Sequence, residues 1–268
     1  MNIDSGFRNQ SRIIRAKKIL GQNFLKNKKI LEEIVDASEI SKNDVVLEVG
    51  PGKGSLTQVL AERSKKVIAV EKDHELVVYL KEKFAEQNNI EIIEGDILKP
   101  NILKPNSYKK IVANLPYYIT SHFLKLFLSD EKLQPELMVL MIQYEVAKRI
   151  CARPPSMNPV RGRGSNGMNL LALSVQAYGK PKFIRKVSKN FFHPRPKVDS
   201  AIIKISDISR NFFKNNNIDE KKFFTLARRA FRQKRKMLRR SISIPKSDFG
   251  MRRPEELSLE DWVKILNY

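Results

Sequence analysis

Five consecutive residues, Asn114-Leu115-Pro116-Tyr117-Tyr118, follow the apolar run Ile111-Val112-Ala113 and precede a helix-like segment from Ser121 to Leu128. An Asn side-chain oxygen and a neighbouring backbone carbonyl, held in place by a following proline, can together accept both hydrogens of an exocyclic amine such as that of adenine. The lone pair of such an amine is delocalised into its ring. Acceptors that favour a more tetrahedral nitrogen therefore restore its nucleophilicity where a methyl group must be attacked. Tyr117 would supply a flat face on which the base stacks. Asn114, Leu115, Pro116 and Tyr117 are thus candidate catalytic residues, and Tyr118 is left out of the set. The same residue types also end strands as ordinary turns, and these five alone do not separate the two readings.

A second set follows the β-branched apolar run Asp44–Val49, which reads as a buried parallel strand. It feeds into Gly50-Pro51-Gly52-Lys53-Gly54-Ser55, where alternating glycines allow a sharp turn and a close ligand approach at a helix start. The spacing is G-x-G-x-G and not the dinucleotide fingerprint G-x-G-x-x-G. Strand Val67–Val70 then ends at Glu71, about where an acid that binds ribose hydroxyls belongs. Strand Ile90–Ile93 leads to Gly95-Asp96, and a fourth strand ends at Asn114.

The elements that must position these residues alternate in type. Helical patterns around Ser55–Arg63 and Asp73–Phe84 separate the strands, which predicts an α/β fold with a doubly wound parallel sheet binding a nucleoside at its carboxyl edge. Gly21-Gln22-Asn23-Phe24-Leu25 reads as a turn before a helix carrying Ile30, Leu31, Ile34 and Val35. Strand Leu137–Gln143, helix Tyr144–Ile150, a Pro/Gly-rich basic loop Arg153–Gly167 with Arg161 and Arg163, helix Leu170–Tyr178 and strand Pro181–Val187 follow. Prolines 194 and 196 force an extended path before strand Ala201–Ile205 and would fix Phe192 as a second wall of a base slot, although phenylalanines are more often core. An Asn- and Ser-rich stretch, Ser206–Asn217, reads as a linker. The first C-terminal helix would place Phe223, Leu226, Ala227, Ala230, Phe231 and Leu238 on one face. The expected organisation is a basic arm at 1–18, a catalytic domain at 19–206 and a small helical domain at 207–268.

Charge narrows the partners. With 51 Lys and Arg against 29 Asp and Glu the net charge is +22, far beyond what solubility needs, and it points to a polyanion such as nucleic acid. No acid interrupts Thr225–Ser241, so Arg228, Arg229, Arg232, Arg235, Lys236 and Arg239 are candidate RNA contacts. A single cysteine, Cys151, rules out an internal disulfide and suits a reducing cytoplasm. His74, His122 and His193 lack metal-ligand spacing, so no metal site is expected. No apolar run approaches a membrane span and no secretory signal is recognisable.

Taken together, Gly21–Leu25, Glu48–Thr57, Glu71, Gly95-Asp96, Asn114–Tyr117 and Phe192-x-Pro-x-Pro-Lys-Val-Asp-Ser closely resemble the ribosomal RNA adenine N6,N6-dimethyltransferases, the KsgA family, over nearly the whole chain. The resemblance implies a Rossmann-like S-adenosylmethionine methyltransferase sheet with a small all-helical C-terminal domain. Asn23 and Leu25 would close over the cofactor and Gly50 and Gly52 lie beneath it. Glu71 would bind the ribose hydroxyls, Asp96 the cofactor adenine amine, and Asn114 the junction of cofactor and substrate. The target adenine would sit between Tyr117 and Phe192. The implied substrate is two adjacent adenosines near the 3′ end of small-subunit rRNA, methylated by a cytoplasmic monomer on an assembling subunit. A ribosome-assembly factor, a large-subunit single-adenosine methyltransferase and a nicotinamide-dependent oxidoreductase are the rival readings; glycine spacing and charge speak against the last. This chain departs from the pattern in a longer basic insertion, Pro159–Gly167, and in Arg239-Arg240-Ser241 where many relatives carry asparagines.

Overall fold

The computed structural model describes residues 16–17, 20–155, 167–233, 236–242 and 248–267. The expected arm 1–18 other than residues 16 and 17, the insertion residues Arg161 and Arg163, and Arg235 lie outside the described residues. Seven strands form the main sheet: β2 (Val45–Val49), β3 (Lys66–Glu71), β4 (Ile90–Glu94), β5 (Lys110–Asn114), β6 (Leu137–Gln143), β7 (Lys180–Val187) and β9 (Ser200–Ser206). Their order is β4-β3-β2-β5-β6-β9-β7. A separate two-stranded ladder joins β1 (Phe24–Leu25) to β8 (Phe192–His193). The helices are α1 (Lys28–Ala37), α2 (Ser55–Arg63), α3 (His74–Lys83), α4 (Thr120–Ser129), α5 (Tyr144–Ile150), α6 (Leu170–Gln176), α7 (Asn211–Asn215), α8 (Glu220–Phe231) and α9 (Leu259–Leu266).

Apolar alternation along each strand sends side chains to two faces. Leu47, Val49, Ile68, Val70, Ile111 and Ala113 face one core, shared with Phe123 and Phe127 of α4 and with Phe223 and Trp262 of the C-terminal helices. Val46, Val67, Ala69 and Val112 face the other, against α1 and α2. On α1 the buried residues Ile30, Leu31, Ile34 and Val35 recur at the helical period, and Asn27 caps its start by accepting from the Ile30 amide at 3.1 Å. The rings of Phe123 and Phe127 stack at 4.5 Å between centroids, and truncating either to alanine would cost about 3–5 kcal/mol.

Three expectations are corrected. The sheet is mixed, because β9 runs antiparallel to both β6 and β7. The 12 residues that join β7 to β9 hold a 3-10 turn and β8 but no helix to carry a parallel crossover, and an apolar run does not encode strand direction. Ser206–Asn217 is not a plain linker: it contains α7, whose Phe213 is buried against Tyr178 and Phe223 at 5.3 and 5.6 Å between centroids. Lastly, α8 stops at Phe231, and Leu238 sits in a separate 3-10 turn, Leu238–Arg240. Residues 232–236 offer no apolar side chain to bury, and like charges three or four apart repel along a helix. No helix among the described residues is long and apolar enough to cross a membrane.

Candidate functional site

Because β2, β3, β4 and β5 are parallel, their carboxyl ends fall on one edge of the sheet. That edge opens into a cleft with roughly 1050 Å³ of free space, counted with its mouth. Asn23, Leu25, Gly50, Gly52, Glu71, Asp96, Asn114, Leu115, Pro116 and Tyr117 all line it, so residues up to 94 positions apart in sequence meet in one cleft.

The floor is the turn between β2 and α2. Gly50, Gly52 and Gly54 adopt φ of 65°, 60° and 74°, and the Gly50 amide donates to the Val70 carbonyl at 3.0 Å, tying the turn to β3. A Cβ on Gly52 would lie 3.0 Å from two atoms of the Phe24 ring, so the left-handed backbone favours glycine there and any larger residue would have to push that ring aside. At the end of β3 the Glu71 carboxylate collects three amides: Lys72 and Asp73 donate to Oε1 at 2.9 and 3.0 Å, and Gly52 to Oε2 at 3.2 Å. Burial raises its pKa, with these three hydrogen bonds opposing and the nearby Asp73 charge adding to the rise. Asp96 accepts from Lys72 Nζ at 2.8 Å and from the Leu98 amide at 3.0 Å; the lysine holds its pKa below the ordinary value, against partial burial.

Asn114 ends β5. Its amide nitrogen donates to the Asn23 carbonyl at 3.2 Å, leaving Oδ1 as an acceptor. The Leu115 amide donates to Met141 at 3.1 Å, so β6 fixes the backbone beside it. Tyr117 shares a 2.8 Å hydrogen bond with the Ser200 hydroxyl, and burial raises its pKa while that bond opposes the shift.

Across the mouth runs a strap, residues 20–25, which contains β1 and is more than the turn its sequence suggests. Gln22 donates to Asp73 at 2.8 Å and accepts from the Lys17 amide at 2.7 Å, and the Lys17 ammonium meets Asp73 at 2.7 Å. Burial raises the Asp73 pKa, but these partners and the Glu75 amide outweigh it and the carboxyl stays below its usual range. Asn23 donates to the Gly21 carbonyl at 3.0 Å. The Tyr118 ring approaches Gly21 and lines the cleft, and it is more than half exposed, so it belongs to the mouth.

Phe192 is placed differently from the other expected residues. Its backbone pairs with Leu25, its side chain is buried in the core beside α1 and α2, and it does not line the cleft. Of the basic candidates, Arg228, Arg229, Arg232, Lys236 and Arg239 are exposed, and none has a carboxylate partner among the described residues. They divide between α8 and the turn after it.

One cleft residue had no role assigned from sequence. Glu48, inside the apolar strand β2, is 1 % exposed, and its Oε2 has no hydrogen-bond partner among the described residues. Burial, with the Glu71 charge adding, pushes its pKa up to about 8; Thr57 and Lys83 pull the other way, though the Thr57 hydroxyl lies without hydrogen-bond geometry. A lone acid in an otherwise apolar strand was the sequence signal for it.

Comparison with known proteins gives one consistent answer. Residues 13–255 match the model of the family described as ribosomal RNA adenine dimethylase. The protein named ribosomal RNA small subunit methyltransferase A of Dehalococcoides mccartyi is 41% identical over 269 residues, covering 94% of this chain and 88% of that one. Its namesake in Clostridium botulinum is 39% identical over 267 residues, covering 94% and 93%. A dimethyladenosine transferase structure from Plasmodium falciparum superposes with a TM-score of 0.74 at 26% identity, covering 91% of this chain and 96% of that one. The 23S rRNA methyltransferase ErmE shares the fold, with a TM-score of 0.70 at 24% identity over 92% of this chain and all of that one.

Proposed function

Because the chain belongs to the ribosomal RNA adenine dimethylase family, we propose that it is an enzyme that transfers methyl groups from S-adenosylmethionine to adenine N6 amines of small-subunit rRNA. The site reading is carried by one observation: the Asn114 amide is turned so that its nitrogen is committed to Asn23 and its oxygen is left to accept. The rRNA targets are two adjacent adenosines near the 3′ end, each methylated twice on an assembling small subunit. The enzyme acts as a cytoplasmic monomer without a metal. Residues 19–206 carry the chemistry, and 207–268 contact RNA.

The cleft suits this cofactor. The Glu71 carboxylate is an acceptor for ligand hydroxyls, and the buried Glu48, which keeps its proton in the folded chain, offers an unpartnered polar oxygen beside it. Glu71 would hold the ribose hydroxyls and Asp96 the adenine amine, Gly50 and Gly52 would underlie the ligand, and Asn23 and Leu25 would cover it. When bound, the cofactor supplies an electrophilic methyl on a positively charged sulfur.

The chain's own part is alignment and polarisation. Asn114 Oδ1 and the Leu115 carbonyl accept the two N–H bonds of the target amine, turning its lone pair out of the ring plane. Pro116, at φ −56° and ψ 130°, fixes the relative positions of these acceptors. Tyr117 stacks on the base, with its ring height set by the Ser200 hydrogen bond. The Phe192 ring, expected from the sequence as a second wall, stays in the core, so Tyr117 is the wall that this structure supplies. No strong base is needed, because the nitrogen becomes acidic only as the new bond forms.

Asn114→Ala tests this reading. Labelled methyl transfer should fall about 10²–10³-fold, as for loss of one preorganised polar group, while cofactor affinity by calorimetry stays within a few-fold. Turnover close to the unmodified enzyme would overturn the assignment.

A further inference from the structure

A second cationic surface lies beside the cleft, on the loop between β8 and β9. Over residues 187–198 the sequence contains Lys189, Arg195 and Lys197 and no acid. Arg195 and Lys197 are exposed with buried Pro196 between them, and neither has a carboxylate partner among the described residues. The other basic groups nearby are already engaged. Lys186 pairs with Asp199 at 2.9 Å, Lys148 with Glu145 at 2.9 Å, and Lys189 Nζ donates to the Lys197 carbonyl at 3.4 Å. Asp199 Oδ1 also accepts from the Lys189 amide at 3.0 Å.

Both ends of this loop are tied to the site. On one side His193 pairs with Phe24 of the strap across the cleft. On the other, Ser200 begins β9 and shares its hydrogen bond with Tyr117. These two ties hold Arg195 and Lys197 on a loop anchored both to the strap and to the residue that hydrogen-bonds Tyr117. Proline rings at 194 and 196 restrict the backbone on both sides of Arg195, which lowers the backbone share of the ordering cost when it binds.

We propose that Arg195 and Lys197 form a phosphate rail for the single RNA strand flanking the target adenosine, separate from the basic residues of α8. The proposal rests on the functional reading above. Two cations without a carboxylate partner among the described residues, on a loop tied to the strap through His193 and to Tyr117 through Ser200, favour phosphates of the bound strand over an acidic protein segment.

The test is fluorescence-anisotropy binding of a short single-stranded RNA containing the two target adenosines, at several salt concentrations, with Arg195→Gln plus Lys197→Gln. Each phosphate contact on a single strand contributes about 0.7 to the log–log salt slope, so the slope should become shallower by about 1.4, with affinity about tenfold weaker at low salt. The pair Arg195→Lys plus Lys197→Arg should restore both. Cofactor affinity by calorimetry verifies that the variants fold. An unchanged slope overturns the rail even if methyl transfer proceeds. If the slope falls as expected but the unmodified protein transfers no methyl to any RNA, the rail stands and the functional reading fails. Equal loss of binding to polyglutamate overturns the assignment to RNA.

Discussion

Replacing Glu48 by glutamine should change how stability responds to pH. The Glu48 pKa is raised by burial to about 8 in the folded protein and is near 4.5 when unfolded. Between those values the folded chain keeps a proton that the unfolded chain has released. Stability from this group is thus fully present below about pH 4.5 and is lost as pH rises towards about 8, at about 1.4 kcal/mol per pH unit. Over the whole window the loss is on the order of 5 kcal/mol, an upper value because water and relaxation lessen the penalty of a buried charge. Glu71 is raised as well, and Asp73 and Asp96 are lowered, so the pH profile of one protein mixes several groups. The difference between Glu48→Gln and the unmodified chain isolates this one. Urea unfolding at half-unit steps from pH 5 to 9 should show the variant gaining relative stability steadily up to about pH 8 and then levelling. A difference that is flat with pH would mean that Glu48 does not hold its proton in the folded state.

Gly52→Ala should weaken cofactor binding at least tenfold, since a left-handed residue costs about 1–2 kcal/mol and the new Cβ meets the Phe24 ring at 3.0 Å; unchanged calorimetric affinity would show that the ring simply moves aside. Tyr117→Phe leaves the buried Ser200 hydroxyl without its 2.8 Å partner and should lower stability by about 1–3 kcal/mol in urea unfolding, with base stacking preserved. Gln22→Ala removes both hydrogen bonds that pin the strap to Asp73 and Lys17, and stopped-flow measurement should show faster cofactor release with little change in the melting temperature. Replacing Arg228, Arg229, Arg232, Lys236 and Arg239 by alanine should flatten the salt dependence of small-subunit binding, by about 0.7–0.9 in slope for each phosphate that no longer meets a cation.

Four strand ends were legible because each carries its chemistry next to a clear apolar run: Gly50 after Val45–Val49, Glu71 after Lys66–Val70, Asp96 after Ile90–Glu94, and Asn114 itself. Their convergence follows from parallel pairing, which a βα alternation implies. Strand direction in β9 was not legible, since Ile202 and Ile203 look alike in either orientation. Nor was the strap. Gln22 and Lys17 act through Asp73, more than fifty residues away, and neither type signals a long-range partner. Composition misled at Ser206–Asn217, where the Asn and Ser content hid two phenylalanines that pack into the aromatic cluster around Tyr178. Charge misled in the other direction: the uninterrupted basic run after Thr225 looked like one helix face, yet its own repulsion and lack of apolar residues end α8 at Phe231. Phe192 lies where its motif predicts in the chain, but its ring belongs to the core packing in this structure.

The proposed reaction is put to its sharpest test by supplying labelled S-adenosylmethionine with naked small-subunit rRNA, with assembling small subunits and with large-subunit rRNA, and then mapping the modified nucleotides. The expected result is N6,N6-dimethylation of two adjacent adenosines near the 3′ end of the small-subunit RNA. Label confined to large-subunit RNA, or to a position other than adenine N6, would contradict it.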